Sequence, residues 1–352
     1  MGTDMKEIAR IAEVTQPTVS YVLNDKWKEK QISSEVRDKI LRIAKKLDYH
    51  PNIIAKGFAL NKTHNIAIAL KSVDYPTDPY FAMIIGGIIH QVGLHDYNMQ
   101  FTVTDESTSP AAENLSFQRK VKQHCLDGLI IIDQCISDEK ILWLEKENVP
   151  FLLIDRFIPG YSVNCVRVDN KKGIALLTEH LINLRHKRIA FFSETLVWNK
   201  TSEMIAGYRD TLAKYGLNYD ERLLIPIDFD LDNERKKISK IMDDLLNLSN
   251  PPTAIISASD RKAVSILREV KDKGFKVPGD IVIVGYNEDP NFTHVEPPLT
   301  TVQVPLQEMG EESAKMLFQL IDNQEVENAE IVLEPKLVIR KSCGAYLVQG
   351  NN

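Results

Sequence analysis

The chain has 352 residues, 43% hydrophobic and 26% charged, with a net charge of −6. It is too long for one ordinary domain and has the composition of a globular protein, not of a disordered or fibrous one. No apolar run is long enough to span a bilayer, the N-terminus has no charged-then-apolar leader pattern, and Cys125, Cys135, Cys165 and Cys343 form no C-x-x-C, so a cytoplasmic protein with reduced thiols is expected.

The charge is unevenly placed. Residues 1–62 carry 12 Lys+Arg against 8 Asp+Glu, a net +4, which leaves −10 on the remainder. A basic head on an acidic body is expected when only the head touches phosphates.

Met5 to Asn24 reads MKEIARIAEVTQPTVSYVLN. Ile8, Ala9, Ile11 and Ala12 share one helical face, and Val19, Val22 and Leu23 share another. Thr15 is placed to cap the second segment, and Pro17 follows where a missing N–H does no harm. Two short helices joined by a tight turn fit a helix-turn-helix, whose second helix lies in a DNA major groove; they also fit two ordinary small core helices. After a charged loop, Asp25 to Lys30, Ser33-Ser34-Glu35 opens a third helix with its apolar stripe at Val36, Ile40, Ile43, Ala44 and Leu47. Pro51 prevents its continuation. Asn52 to Leu60 (NIIAKGFAL) is too short for a stable helix alone, yet Ile54, Ala55, Phe58 and Ala59 would share a face. Such a segment suits a hinge that orders against a partner. Phe58 would then wedge between base steps in the minor groove, or else pack on the body.

Together, Ile8-Ala9, Ala12, Val14-Thr15, Thr18-Val19-Ser20, Val22-Leu23-Asn24, Leu47, Tyr49, Pro51-Asn52, Ala55 and Phe58 form a pattern that resembles the LacI/GalR family of bacterial transcription regulators. The resemblance implies that Thr15, Thr18, Ser20 and Asn24 hold phosphates and that Gln16, Pro17 and Tyr21 face base edges. In the hinge it implies DNA contacts from Asn52, Ala55, Lys56 and Phe58. Tyr21 stands where the family often has Arg, the usual bidentate reader of guanine, so base readout rests on Gln16, Tyr21 and apolar contacts.

From Asn65 onward, β-like runs alternate with amphipathic helical stretches. The expected strands are Ile66–Leu70, Met99–Val103, Gly128–Ile132, Phe151–Ile154, Val163–Val168, Arg188–Phe192, Leu223–Ile227, Ala254–Ser257 and Ile281–Val284. This alternation predicts an α/β body with parallel sheets, in two lobes because the units exceed one ordinary sheet. The resemblance implies the periplasmic-binding-protein fold with three crossings between lobes. The expected divisions are a helix-turn-helix head at 1–50, a hinge at 51–62, a ligand-binding and dimerisation body at 63–342 and a tail at 343–352. The N-lobe is expected at 63–160 plus 291–323 and the C-lobe at 161–290 plus 324–342. The helix at Leu306 to Ile321 is expected in the dimer surface. Arg185 replaces a glycine that usually ends a helix, so a different C-terminal turn is expected there.

No catalytic constellation is evident. Gly274 and Gly279 have Walker spacing, but Asp280 follows where Lys is required, and there is no H-E-x-x-H, G-x-G-x-x-G or G-x-S-x-G. Asp243-Asp244 and Glu311-Glu312 read as solvated charge. Neither a cofactor, a metal site nor an enzyme activity is expected.

Ligands of open α/β sheets bind beyond the carboxyl ends of the strands. Those positions here hold Ser72, Asp74 and Tyr80-Phe81, then Asp133, Asp155-Arg156 and Asp169, then Ser193, Trp198, Phe229, Ser259-Asp260 and Tyr286-Asn287. Aromatic faces with convergent polar groups suit a sugar or another small polar ring compound. Tyr80, Phe81, Arg156, Asp169, Phe229 and Asn287 also match family effector positions; Asp133, Trp198 and Asp260 rest on the strand-end reading alone. Met204 and Asn287 stand where relatives commonly have Arg and Asp, which changes the ligands that fit. The expected function is a DNA-binding repressor, acting as a homodimer on pseudo-palindromic operator DNA and controlled by a carbohydrate effector between the lobes. A protein co-regulator, a non-sugar metabolite and a solute-binding protein are the alternatives.

Overall fold

A computed structural model describes residues 4–49, 62–71, 75–104, 121–123, 125–132, 135–194, 199–227, 234–326 and 329–349. It divides into two compact units, Met1–His64 and Asn65–Asn352. Most of the expected hinge, 51–61, lies outside the described residues.

The head is three helices, α1 (Met5–Ala12), α2 (Gln16–Leu23) and α3 (Ser34–Lys46). Each opens on a side-chain cap: Asp4 accepts from the Glu7 N–H, Thr15 from the Thr18 N–H and Ser33 from the Val36 N–H. Glu13, with φ of 57°, closes α1, and the Val14 N–H reaches back to the Ala9 carbonyl. Ile8, Ala9, Ala12, Val19, Val22, Ile40 and Ala44 are buried between the helices.

In the second unit β1 (Asn65–Leu70), β2 (Asn98–Val103), β3 (Gly128–Ile132), β4 (Phe151–Ile154), β5 (Cys165–Val168) and β11 (Glu330–Leu333) form a parallel sheet in the order β11-β5-β4-β3-β1-β2. A second parallel sheet has the order β7-β6-β8-β9, from β6 (Ile189–Ser193), β7 (Leu224–Pro226), β8 (Ala254–Ser257) and β9 (Val282–Val284). The short strands β10 (Thr301–Gln303) and β12 (Lys336–Val338) pair antiparallel beside it. The first-lobe helices are α4 (Pro79–Val92), α5 (Asp138–Lys146) and α10 (Leu306–Ile321). The second lobe has α6 (Asn170–Asn183), α7 (Asn199–Lys214), α8 (Glu234–Leu246) and α9 (Asp260–Asp272). No helix among the described residues is long and apolar enough to cross a membrane.

The chain passes between the lobes after β5, after β10 and after β11. The lobe boundaries expected from the sequence therefore move. Residues 165–168 and 330–333 belong to the first sheet, because β5 bonds to both β4 and β11, and 301–303 belongs beside the second. Alternation of apolar runs counts strands but carries no information about which edge each one joins. The segment expected as a tail is also structured: Cys343 is buried, and Ala345–Gln349 forms a short helix, α11.

Arg185 adopts φ of 70°, the left-handed conformation that glycine usually supplies at a helix end. Its N–H bonds to the Ile182 carbonyl and the His186 N–H to the Leu181 carbonyl, so α6 ends in the usual Schellman pattern despite the side chain. The expectation of a different turn was wrong because hydrogen bonding holds Arg185 in a conformation that costs about 1–2 kcal/mol.

Helix α10 does not offer an apolar face to a partner. Leu306, Met309, Ala314, Met316, Leu317, Phe318 and Ile321 are buried within the lobe, and its exposed positions are Gln307, Glu308, Lys315 and Gln319. It lies against α4 with backbones nearly touching. A Cβ on Gly87 would collide with the Gln307 carbonyl, and one on Gly310 with the Ile84 carbonyl. Gly86, one residue away, faces open space. Gly87→Ala should destabilise the body by about 1–3 kcal/mol, whereas Gly86→Ala should stabilise the helix slightly, by about 0.5–1 kcal/mol. Urea unfolding of the two variants checks this; equal midpoints would contradict the close helix contact.

Candidate functional site

In the head, Val19 and Val22 anchor one side of α2, which leaves Gln16, Pro17 and Tyr21 exposed on the other. The four expected phosphate contacts form two pairs at either end of the helix. The Thr15 and Thr18 hydroxyls lie 2.8 Å apart. The Asn24 amide donates to the Ser20 carbonyl at 2.9 Å and to its hydroxyl at 3.3 Å. These contacts hold four polar side chains at the two ends of α2. Lys30 places its ammonium 5.3 Å from the Tyr21 ring centre, and Arg37 stands 5.1 Å over Trp27. In the sequence the only sign of these cation–ring pairs is Trp27 among the lysines of the 25–30 loop, with Tyr21 just before it.

In the body, polar side chains from both lobes meet where strand ends face helix starts. Asp155, just past β4, has φ of 53° and a buried side chain. The Tyr80 hydroxyl, at the start of α4, donates to its Oδ2 at 2.7 Å, and the Asn170 amide, opening α6 on the other lobe, donates to its Oδ1 at 3.3 Å. Lys200, from the first turn of α7, brings its ammonium to 3.5 Å from Oδ2 and to 4.5 Å from the Tyr80 ring centre. A second bridge joins Arg167 on β5 to Glu203 on α7 at 3.1 Å, while Arg167 also holds Glu330. Burial raises the Glu203 pKa, and the Arg167 charge opposes the rise. The Tyr286 hydroxyl, which donates to Asn170 at 3.1 Å, has its pKa raised well above 10 by burial and then by Asp155, Asp169 and Glu203.

Comparison with known proteins decides the family. A regulatory domain described as bacterial regulatory proteins, lacI family, matches residues 4–52, and a periplasmic binding protein-like domain matches 178–343. The HTH-type transcriptional regulator CelR of Thermobifida fusca is 30% identical over 342 residues, covering 96% of this chain and 97% of its own. The chain belongs to the LacI family. The HTH-type transcriptional regulator GalR of Escherichia coli K12 is 28% identical, over 99% of this chain and 98% of its own. A solved transcriptional regulator CelR–cellobiose complex superposes with a TM-score of 0.71 at 27% identity, covering 97% of this chain and 99% of that one. As a LacI-family member, the chain is a DNA-binding transcription regulator.

Within this LacI-family body, the expected effector residues divide. Tyr80 and Phe81 are half-buried and pack edge to face at 5.1 Å. Asp169 caps α6, accepting from the Lys172 N–H at 2.8 Å. Asn287 has φ of 106°, and its buried Oδ1 has no hydrogen-bond partner among the described residues. Three others are taken up by the fold. Met204 is 1% exposed in the core. The Arg156 guanidinium, also buried, donates to the Ile136 carbonyl and pairs with Asp138. Both Asp260 oxygens are engaged, one by the Thr301 hydroxyl at 2.6 Å and the other by the Asp289 N–H at 2.8 Å. Asp133, Trp198 and Phe229, expected at the effector site, and Asn52, Ala55, Lys56 and Phe58, expected in the hinge, lie outside the described residues, as do Ser72 and Asp74. The sequence reading missed Lys200 and Glu203, whose only signal was their spacing on the cleft-facing start of α7. Among the described residues no group of three His, Cys, Asp or Glu side chains could hold a metal ion.

Burial pushes the Asp260 carboxyl up to about 7, and hydrogen bonds from Thr301 and Asp289 only partly offset it. With a folded pKa above the ordinary 3.8, this carboxyl binds a proton on folding between those values. Its contribution to stability therefore falls as pH rises from about 4 to about 7 and is flat above. The difference in urea midpoint between about pH 4.5 and about pH 7.5 should shrink in Asp260→Asn relative to the parent; an unchanged difference would rule out this titration.

Proposed function

We propose that the chain is a repressor that binds operator DNA as a homodimer in the cytoplasm and responds to a small effector, a sugar or sugar derivative, held between the lobes. The observation that carries this reading is the pairing of an exposed, capped recognition helix with a cleft where Tyr80, Asp155, Asn170 and Lys200 converge from two lobes. The likeness to a CelR–cellobiose complex supports a carbohydrate in that position. In the head, Gln16 and Tyr21 would face base edges, while Thr15, Thr18, Ser20 and Asn24 hold phosphates. In the hinge, Asn52, Ala55, Lys56 and Phe58 would enter the minor groove. Effector in the cleft would alter how the lobes meet and shift operator affinity, a coupling typically of about 1–3 kcal/mol.

Two-fold operators call for a two-fold dimer. The exposed apolar residues that fit one are Met83 and Ile89 on the outer face of α4, Leu94 just beyond it and Phe101 on the edge strand β2. Ile89→Asp should shift the protein toward monomer in sedimentation velocity, whereas a species unchanged at micromolar concentration would exclude this face.

Operator binding is measured by fluorescence anisotropy on a pseudo-palindromic duplex selected from a random pool. Affinity should fall steeply with salt, by roughly 10³-fold or more between about 50 and about 200 mM if six or more phosphates are contacted. Deleting residues 1–62 should abolish it. Tyr21→Ala should relax discrimination at one base pair by about 1–3 kcal/mol. Salt-independent binding, or binding retained without the head, contradicts the assignment of the DNA site.

A further inference from the structure

Resting on the reading that α2 turns Gln16, Pro17 and Tyr21 to base edges, we infer that Lys30 is a specificity-determining residue of the head. Held over the Tyr21 ring, it reads a guanine that the helix itself has no cation to read. The helix, QPTVSYVL, contains neither Lys nor Arg. Lys30 lies beyond the helix in sequence, yet its ammonium comes back to 5.3 Å from the Tyr21 ring centre. At that distance an aromatic face holds a cation. Both side chains belong to exposed residues, so the pair is open to a partner.

The loop after α2 is folded to bring Lys30 back. The Lys26 N–H reaches the Tyr21 carbonyl at 2.8 Å, and the Lys30 N–H reaches the Lys26 carbonyl at 3.1 Å. The Gln31 N–H then bonds to the Lys28 carbonyl at 3.1 Å and the Ile32 N–H to the Trp27 carbonyl at 2.9 Å. Asp25 and Gln31 bracket the loop in left-handed conformations, with φ of 56° and 55°. Trp27 pins it: the indole N–H donates to the Asp25 Oδ1 at 3.0 Å, and Arg37 of α3 lies 5.1 Å over the ring. A loop tied to both α2 and α3 loses little freedom when Lys30 meets DNA.

The chemistry of the pair selects the base. An aromatic face attracts an ammonium without consuming its N–H donors, which stay available to acceptors on DNA. Guanine offers two adjacent acceptors, N7 and O6, at its major-groove edge. Adenine sets a donor beside N7, thymine has one acceptor beside a methyl group, and cytosine presents a donor. An ammonium only donates, so guanine satisfies it best. Tyr21 shares the exposed side of α2 with Gln16 and Pro17. A cation resting on its ring is therefore carried with those side chains, not with the Thr15–Thr18 and Ser20–Asn24 pairs. Tyr21 acts as the positioning residue and Lys30 as the donor.

The test uses the full chain on the duplex that the wild type selects from a random pool, with each half-site base pair changed in turn and affinity read by fluorescence anisotropy. The wild type should prefer G·C at one half-site position by about 10-fold or more. Lys30→Met should abolish that preference and keep those at the other positions, which also shows that the variant head is folded. Lys30→Arg and Tyr21→Phe, which keep the cation and the ring, should retain it, and Tyr21→Leu should lose it. If Lys30→Met instead weakens every duplex alike and lowers the salt slope by about one, Lys30 touches phosphate only. The inference then falls while DNA reading by α2 stands. It falls equally if the wild type has no such guanine position, if the preference survives Lys30→Met or Tyr21→Leu, or if Lys30→Arg or Tyr21→Phe loses it. If the wild type binds no duplex at all, the DNA-site reading falls together with the inference.

Discussion

The Asp155 carboxylate is the point on which the two-lobed body turns. It sits at the carboxyl end of a central strand, in a left-handed backbone conformation that asparagine and aspartate tolerate better than most residues. A buried carboxylate must be matched, and here the matching groups come from both lobes: Tyr80 on its own side, Asn170 and Lys200 across the cleft. Under the proposed function, the groups that join the lobes are also those an effector would engage. An effector can bias such a junction because its hydrogen bonds compete with, or bridge, the contacts already there.

The scaffold around this junction is stiff where the junction needs it. In the first lobe, α4 and α10 meet at Gly87 and Gly310 with no room for a side-chain atom, which fixes the helix carrying Tyr80. In the second, Asp260 ties the start of α9 to Thr301 and to the loop at Asp289, which links the ends of β8 and β9 to the crossing at β10. The head works differently. Its three helices bury only a small core, too little for large stability, and its polar outer face is organised by caps and short side-chain pairs. That economy suits a module whose task is to present α2.

Local features were legible without the structure. Caps at Thr15 and Ser33, and the apolar stripes of α1 to α3, depend on residues three or four positions apart, so sequence spacing reveals them. The strands with long apolar runs were legible for the same reason. β10, β11 and β12 were missed because runs of three or four residues, some half-exposed, carry no usable period. Tyr80 and Asp169 were singled out because they stand at helix starts beyond strand ends, and there Tyr80 meets Asp155 while Asp169 caps α6. Met204, Arg156 and Asp260 stand at equally suggestive positions but turn inward, and only their partners, Ile136, Asp138, Thr301 and Asp289, reveal it.

By itself, then, the sequence determined the helix-turn-helix, the α/β class of the body and the charge asymmetry between them, since each follows from neighbours along the chain or from composition. Tertiary structure alone decided which sheet β5 and β11 join, that the α10 apolar face is consumed inside the lobe, and that Lys200 meets Asp155. Those three facts depend on contacts between residues tens to more than a hundred positions apart. Burial and hydrogen-bond satisfaction select such contacts among many that local pattern would equally allow.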